Sequence, residues 1–125
     1  MEKIFKLEGT EDTPQVVFDI SKNEFSLSGR SLPEDAASFY KPIIAWIANY
    51  IKNPNPSTEF RINLEYFNSS SVKQIMVLLI QLEEITKTGN EIKIVWCYNE
   101  NDDLMEIKGS EFKSILTIPF ELVVC

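Results

Sequence analysis

The chain has 125 residues, 44% hydrophobic and 25% charged, a composition that argues against disorder and fits one globular domain over 1–125. Twelve Lys and Arg against nineteen Asp and Glu give a net charge of −7, which repels phosphate backbones and anionic lipid surfaces, so neither nucleic acid nor membrane is expected as a partner. No stretch approaches the roughly 20 apolar residues that span a bilayer and no apolar h-region follows Met1, so the expected location is the cytoplasm.

Residues 2–7 alternate apolar and charged positions and read as a short strand. Glu8 to Pro14 is a loop, punctuated by Gly9, Asp12 and Pro14. Gln15 to Ile20 is β-rich, Ser21-Lys22-Asn23 is a turn, and Glu24 to Ser28 alternates with period two, giving an N-terminal hairpin that Gly29-Arg30 ends. Ser31-Leu32-Pro33-Glu34 carries a helix-start pattern, with Ser31 as N-cap and Glu34 at capping-box spacing. That helix runs through Phe39, Ile43, Trp46, Ile47, Tyr50 and Ile51, with a kink expected at Pro42, and stops at Asn53-Pro54-Asn55-Pro56. Trp46 and Tyr50, at helical spacing, read as core.

Residues 59–66 alternate again and form a strand, with Phe60, Ile62 and Leu64 on one face. A second helix follows from about 72 to 87, striped by Ile75, Leu78, Leu79, Leu82 and Ile85, with Gly89 beyond its end. Residues 91–98 are the clearest strand, and the helical crossover makes it parallel to 59–66. A short acidic helix is expected over 101–112, with Leu104, Met105 and Ile107 partly buried, and a last strand over 115–124. The order β-β-β-α-β-α-β-α-β predicts an α/β fold, a mixed β-sheet with helices packed on it.

Catalytic chemistry finds little support. The chain has no His, no GxSxG elbow and no CxxC, and its four glycines stand alone rather than in a phosphate-cradling loop. Lys73 near the serines is a weak spacing signal for Ser-Lys catalysis. Cys97 and Cys125 are expected as reduced thiols. Glu100-Asn101-Asp102-Asp103 lacks the Gly and spaced ligands of a calcium loop and reads as acids at a helix N-terminus. No enzyme activity, no metal and no cofactor are therefore expected, and binding other proteins is the favoured class.

Two polar segments stand out. Asn68-Ser69-Ser70-Ser71 lies where a strand meets a helix, where unpaired N–H groups and the helix dipole favour an anion. Serine and asparagine there are also good caps, and Ser71 with Gln74 fits a capping box, but one serine suffices for that and three leave spare hydroxyls. Thr10, Glu11, Asp12 and Thr13 form a polar loop, either simply solvated or in contact with a partner.

Four segments carry a family resemblance: Glu8 to Pro14, Gly29 to Ala36, Leu64 to Ser71, and Ile118-Pro119-Phe120. Together they resemble the SiaC-type regulatory phosphoproteins of bacteria over nearly the whole chain. The resemblance implies a STAS-like fold of the SpoIIAA, anti-sigma factor antagonist type. It implies a switch in which a Ser/Thr protein kinase phosphorylates the start of the second long helix, a PP2C-type phosphatase reverses this, and the unmodified form binds a target. For the SiaC type that target is a diguanylate cyclase, so c-di-GMP and biofilm control are implied.

Carried across, the phosphoacceptor is Ser69, with Ser70 and Ser71 as alternatives. Here Ser stands where the family often has Thr, and Asn68 and Ser71 stand where the STAS pattern Asp-Ser-Ser-Gly has Asp and Gly. The expected partner face comprises Thr10, Glu11, Asp12, Pro33, Glu34, Asp35, Asn68, Ser70 and Ser71. There a phosphate would repel an acidic partner and be costly to desolvate. The alternative is a constitutive adaptor, or a small-ligand-binding domain of the same fold with no phosphoswitch.

Overall fold

The computed structural model describes residues 2–125. In chain order these form β1 (Ile4–Leu7), β2 (Gln15–Asp19), β3 (Glu24–Ser31), α1 (Ala36–Tyr50), β4 (Ser57–Phe67), α2 (Ser69–Glu83), a 3₁₀ turn (Glu84–Thr88), β5 (Glu91–Tyr98), α3 (Asp103–Ile115) and β6 (Phe120–Val124). All six strands make one sheet whose spatial order is the chain order. The first three strands pair antiparallel, and β3 to β6 pair parallel, each parallel step bridged by a helix. This is the mixed α/β sheet expected, in the expected element order.

The core lies between the helices and one face of the sheet. Phe18, Leu27, Phe60, Ile62 and Ile94 are fully buried there beneath Tyr40, Ile43 and Ile47 of α1 and Ile75, Leu78 and Leu79 of α2. Trp46 stacks on Tyr50 with centroids 5.5 Å apart and packs on Phe18 at 5.2 Å, so both residues are core as their spacing predicts. The opposite face of β4 carries exposed Glu59, Arg61 and Asn63. Lys93 of β5 bridges Glu59 and Glu121 across that face. No helix among the described residues is long and apolar enough to cross a membrane.

Several boundaries differ from expectation. The first strand starts at Ile4, and β3 continues through Gly29-Arg30 to Ser31. Ser31 is therefore the buried end of a strand and not a helix N-cap; α1 is capped by Asp35, whose carboxylate accepts the Ser38 N–H at 3.1 Å. Helix α2 begins at Ser69, three residues earlier than expected, and its C-terminal turn tightens into the 3₁₀ segment that Gly89 closes with φ 84°. The acidic run does cap α3: Asp102 Oδ1 accepts the Met105 N–H at 3.1 Å. The last strand starts only at Phe120, because α3 extends to Ile115.

Two corrections concern side chains. Leu104 and Ile107 are not partly buried but exposed, at 58% and 55%. The face of α3 that meets the sheet is Met105, Gly109 and Phe112. The cysteines are not separate thiols: Cys97 pairs with Cys125 as a disulfide. The parallel register that sets Cys97 against Val123, with the Cys125 N–H donating to Tyr98 O, leaves the two Cα atoms 5.5 Å apart, within bridging range.

Gly109 lets α3 lie close to the sheet. A Cβ at this position would stand 2.5 Å from Trp96 Cδ1 and 2.5 Å from Leu122 Cδ2. Trp96 meanwhile donates its indole N–H to Met105 O at 3.0 Å, which anchors the same helix. Gly109→Ala is expected to lower stability by about 1–3 kcal/mol despite alanine's better helix propensity, because overpacking outweighs the propensity gain. Urea unfolding monitored by Trp fluorescence measures it, and an unchanged or raised midpoint would refute this account of α3 docking.

Candidate functional site

The parallel run β3 to β6 gathers several connections at one end of the sheet. The loops that follow β1, β3, β4 and β5 all open at the strands' C-terminal ends, where α1, α2 and α3 begin. This places the 8–14 loop, the 32–35 segment, the Asn68–Ser71 turn and the Asn99–Asp102 turn along one rim.

Backbone hydrogen bonds knit three of them together. The 8–14 loop folds on Thr10, whose hydroxyl accepts the Thr13 N–H at 2.9 Å and the Asp12 N–H at 3.2 Å. The Asp12 carbonyl accepts the Leu32 N–H at 2.7 Å, and the Ser31 carbonyl accepts the Asn68 N–H at 3.0 Å. The expected partner segments are thus neighbours, although they come from three separate parts of the sequence. Glu11, Asp12, Glu34 and Asp35 are exposed on this rim, whereas Pro33 is buried and packs. The Asp35 carboxyl is held below the usual carboxylate range, first by the Ser38 backbone N–H and then by the Ser38 hydroxyl.

The three serines have three different environments. Asn68 is the N-cap of α2, its Oδ1 accepting the Ser71 N–H at 2.9 Å, so the expected Ser71–Gln74 capping box gives way to an Asn68 cap. Ser70 is exposed and donates to the same Asn68 Oδ1 at 3.1 Å. Ser71 is fully buried. Ser69 is exposed, and among the described residues none hydrogen-bonds to its hydroxyl. Of the three, Ser69 alone lines the adjoining cavity.

Ser71 belongs to a buried relay that the sequence did not reveal. The Ser31 hydroxyl donates to Ser71 Oγ at 2.8 Å, and Ser71 Oγ donates back to the Ser31 carbonyl at 3.1 Å. With the Ser31 proton so used, the Tyr40 hydroxyl donates to Ser31 Oγ across 2.7 Å. Tyr40, Ser31 and Ser71 are all fully buried. Tyr40 lies three residues before Ile43 on the buried stripe of α1, so the stripe would have placed its ring in the core; its partners, 9 residues away and in another helix, left no local signal.

Beside Ser69 a groove opens between α2 and α3. It encloses a cavity of about 200 Å³, with Phe67, Val72 and Met105 among its lining, Tyr66 and Leu104 at its lips, and Ser69, Glu65, Asp102 and Lys108 on its rim. The cavity lies where α2 and α3 begin. At the far end of α2, Glu83 Oε2 accepts the Thr117 N–H at 2.6 Å and the Thr117 hydroxyl at 2.9 Å, which ties α2 to the segment that follows α3. A β-bulge shapes the lip: Gly29 pairs with Leu64 but Arg30 with Tyr66, so Glu65 is the extra residue. Past the bulge the alternation flips. Tyr66 turns out to 47% exposure, and Phe67 meets Trp96 edge-on at 6.1 Å.

Comparison with known proteins finds a matching family and matching folds. The sequence profile of the SiaC family of regulatory phosphoproteins matches residues 7–125. An uncharacterised protein of Pseudomonas aeruginosa strain UCBPP-PA14 is 27% identical over 114 residues, covering 91% of this chain and 90% of that protein. The crystal structure of apo-SiaC from Pseudomonas aeruginosa superposes with a TM-score of 0.88 at 26% identity, over 97% of this chain and 98% of that one. A chain in the crystal structure of the Pseudomonas aeruginosa diguanylate cyclase SiaD in complex with its activator SiaC gives 0.87 at 27% identity, over 97% of this chain and 99% of that one.

Burial pushes the Tyr40 phenol up to about 12, the Ser31 hydrogen bond opposing it in part. The folded value lies above the unfolded one of about 10, so Tyr40 adds stability below pH 10 that is lost as pH rises towards 12, at most about 1.4 kcal/mol per pH unit. Ionised Tyr40 can only accept, which would draw the Ser31 proton away from Ser71. Relative to Tyr40→Phe, the wild-type chain should therefore lose stability between pH 10 and 12, and urea midpoints across that range measure it. Parallel curves for the two proteins would contradict the relay.

Proposed function

The chain belongs to the SiaC family of regulatory phosphoproteins, and we propose that it acts as one domain that is a phosphorylation-controlled protein-binding switch. In this reading the unmodified chain binds and regulates a diguanylate cyclase, and phosphate on Ser69 releases it. A Ser/Thr protein kinase writes the mark and a PP2C-type phosphatase removes it, both in the bacterial cytoplasm where ATP is supplied. The chain itself catalyses nothing: the Ser69 hydroxyl is within hydrogen-bond reach of no base among the described residues.

The observation that carries this reading is the difference among the serines. A kinase must bring a hydroxyl to the γ-phosphate of ATP, and Ser69 is exposed and unengaged while Ser71 is buried in the relay. Ser70 shares the cap of α2, so its modification would disturb the helix start as well. Support for the partner comes from the relative that is crystallised as activator of a diguanylate cyclase and superposes on this chain over 97% of its length.

The physical effect of the mark is local. A phosphate adds roughly −1.5 to −2 charge and three acceptor oxygens. On Ser69 it would stand on a rim that already carries Glu65 and Asp102, at the mouth of the groove. A surface that must be dried on binding would then hold an ion that resists drying.

Two measurements test the switch. Incubation with host lysate and ATP followed by tandem mass spectrometry should place one phosphate on Ser69 and none on Ser69→Ala. Titration calorimetry against the purified diguanylate cyclases of the host should find Ser69→Asp weaker than wild type on the order of tenfold or more, about 1.4 kcal/mol. Ser69→Asp binding as tightly as the wild-type chain would sink the proposal.

A further inference from the structure

The groove between α2 and α3 has a composition that selects its occupant. Its floor and lips are apolar, and Ile107, one turn beyond Leu104 on α3, continues the apolar surface at 55% exposure. Its margin is acidic. Glu65 and Asp102 line the cavity, Asp103 and Glu106 occupy the first turn of α3, and the lining cation Lys108 is drawn towards Glu111 at 3.7 Å.

We infer that this groove docks an apolar side chain flanked by Arg or Lys on the target. The inference takes its role from the switch reading, for it names the contact that a Ser69 phosphate would break. Three observations favour this occupant. The cavity is walled by apolar side chains yet open at Tyr66 and Leu104, as an anchor residue requires. The carboxylates around it complement Arg or Lys flanking that anchor. The groove is also continuous with the Ser69 turn, so one surface would serve both binding and its control.

The same rim disfavours the other occupants. A second copy of this chain would bring the same acidic margin and its own charge of −7, and nucleic acid or anionic lipid would bring phosphates. An acidic partner, the kind that simple repulsion by phosphate would select, meets Glu65 and Asp102 even before modification. Val77 and Ile80, exposed neighbours on α2, do not line this groove. With a basic partner, a phosphate on Ser69 bears on the contact through the water its dianion would have to shed where apolar side chains close over the groove's mouth.

The test titrates the isotope-labelled full chain with two synthetic peptides. One presents a single Phe flanked by Arg, and the other has Glu in place of each Arg. The basic peptide is expected to shift the amides of Tyr66, Phe67, Leu104 and Met105 and to bind on the order of tenfold tighter than the acidic one. Leu104→Glu and Tyr66→Ala, both at exposed positions, should abolish those shifts, and Val77→Glu should keep them, with melting temperatures confirming that each variant folds. Equal affinity for the two peptides, shifts centred on Val77 and Ile80, self-association lost in Leu104→Glu, or no shift at millimolar peptide would each overturn the inference. Failure of the switch reading shows separately, as cyclase binding unchanged by Ser69→Asp alongside an intact peptide result.

Discussion

The relay from Tyr40 through Ser31 to Ser71 sets the geometry on which the candidate site depends. It joins α1, the end of β3 and, 40 residues further on, the first turn of α2, through hydroxyls with no access to solvent. Its last acceptor, the Ser31 carbonyl, also takes the Asn68 N–H, so both lone pairs of that oxygen are used. Each group left unpaired in such a place would cost about 1–3 kcal/mol, so the relay favours one arrangement of the three elements. An α-helix turns about 100° per residue. With Ser71 fixed inward, Ser69, two residues earlier, is carried to the far side of the helix and faces outward. The exposed serine is thus a consequence of the buried one.

A second constraint, the bulge at Glu65, decides what Ser69 looks out upon. Strict alternation through Phe60, Ile62 and Leu64 would turn Tyr66 into the core. Gly29, at φ 101°, accommodates the shifted register on β3, and the extra residue on β4 reverses the sides. Phe67 then fills the space under Trp96, and Tyr66 becomes a lip of the groove. The relay and the bulge both act at the β3–β4 junction, so the helix start and the groove wall are positioned by the same pair of strands.

These constraints also explain what was legible in the sequence. All six strands and three α-helices lie near where the sequence pattern predicts them, and β5 matches its expected bounds of 91–98, whereas the 3₁₀ segment Glu84–Thr88 stands where the pattern predicts the end of the second helix. The helix starts were misplaced because cap signals are degenerate. Ser31 with Glu34 and Ser71 with Gln74 both have capping-box spacing, yet in the fold both serines are drawn into the relay, and the caps pass to Asp35 and Asn68. On α3 two apolar faces compete in the sequence, Leu104 with Ile107 and Met105 with Phe112. The second wins because Gly109 lies on it and admits Trp96 and Leu122. The cysteine pairing depended on β6 lying beside β5, which cysteine spacing does not reveal. The family resemblance implies a face of Thr10, Glu11, Asp12, Pro33, Glu34, Asp35, Asn68, Ser70 and Ser71; Pro33 and Ser71 are buried instead, and the backbone bonds among Asp12, Leu32, Ser31 and Asn68 are the physical reason the others share a rim.

A switch placed at this position can act without refolding the domain. The cap on Ser71 N–H comes from Asn68, so a phosphate on Ser69 would displace no hydrogen bond of α2 and would meet the free N–H groups and dipole of the first turn. The modified chain would keep its core, its relay and its groove, and change only the hydration of the groove's mouth. Stability and binding are thereby separated: the residues that hold the fold at this end point inward, and those that would meet a partner point outward. Such a separation would let a kinase and a phosphatase act on the folded domain repeatedly, since neither would have to open the structure to reach an exposed Ser69.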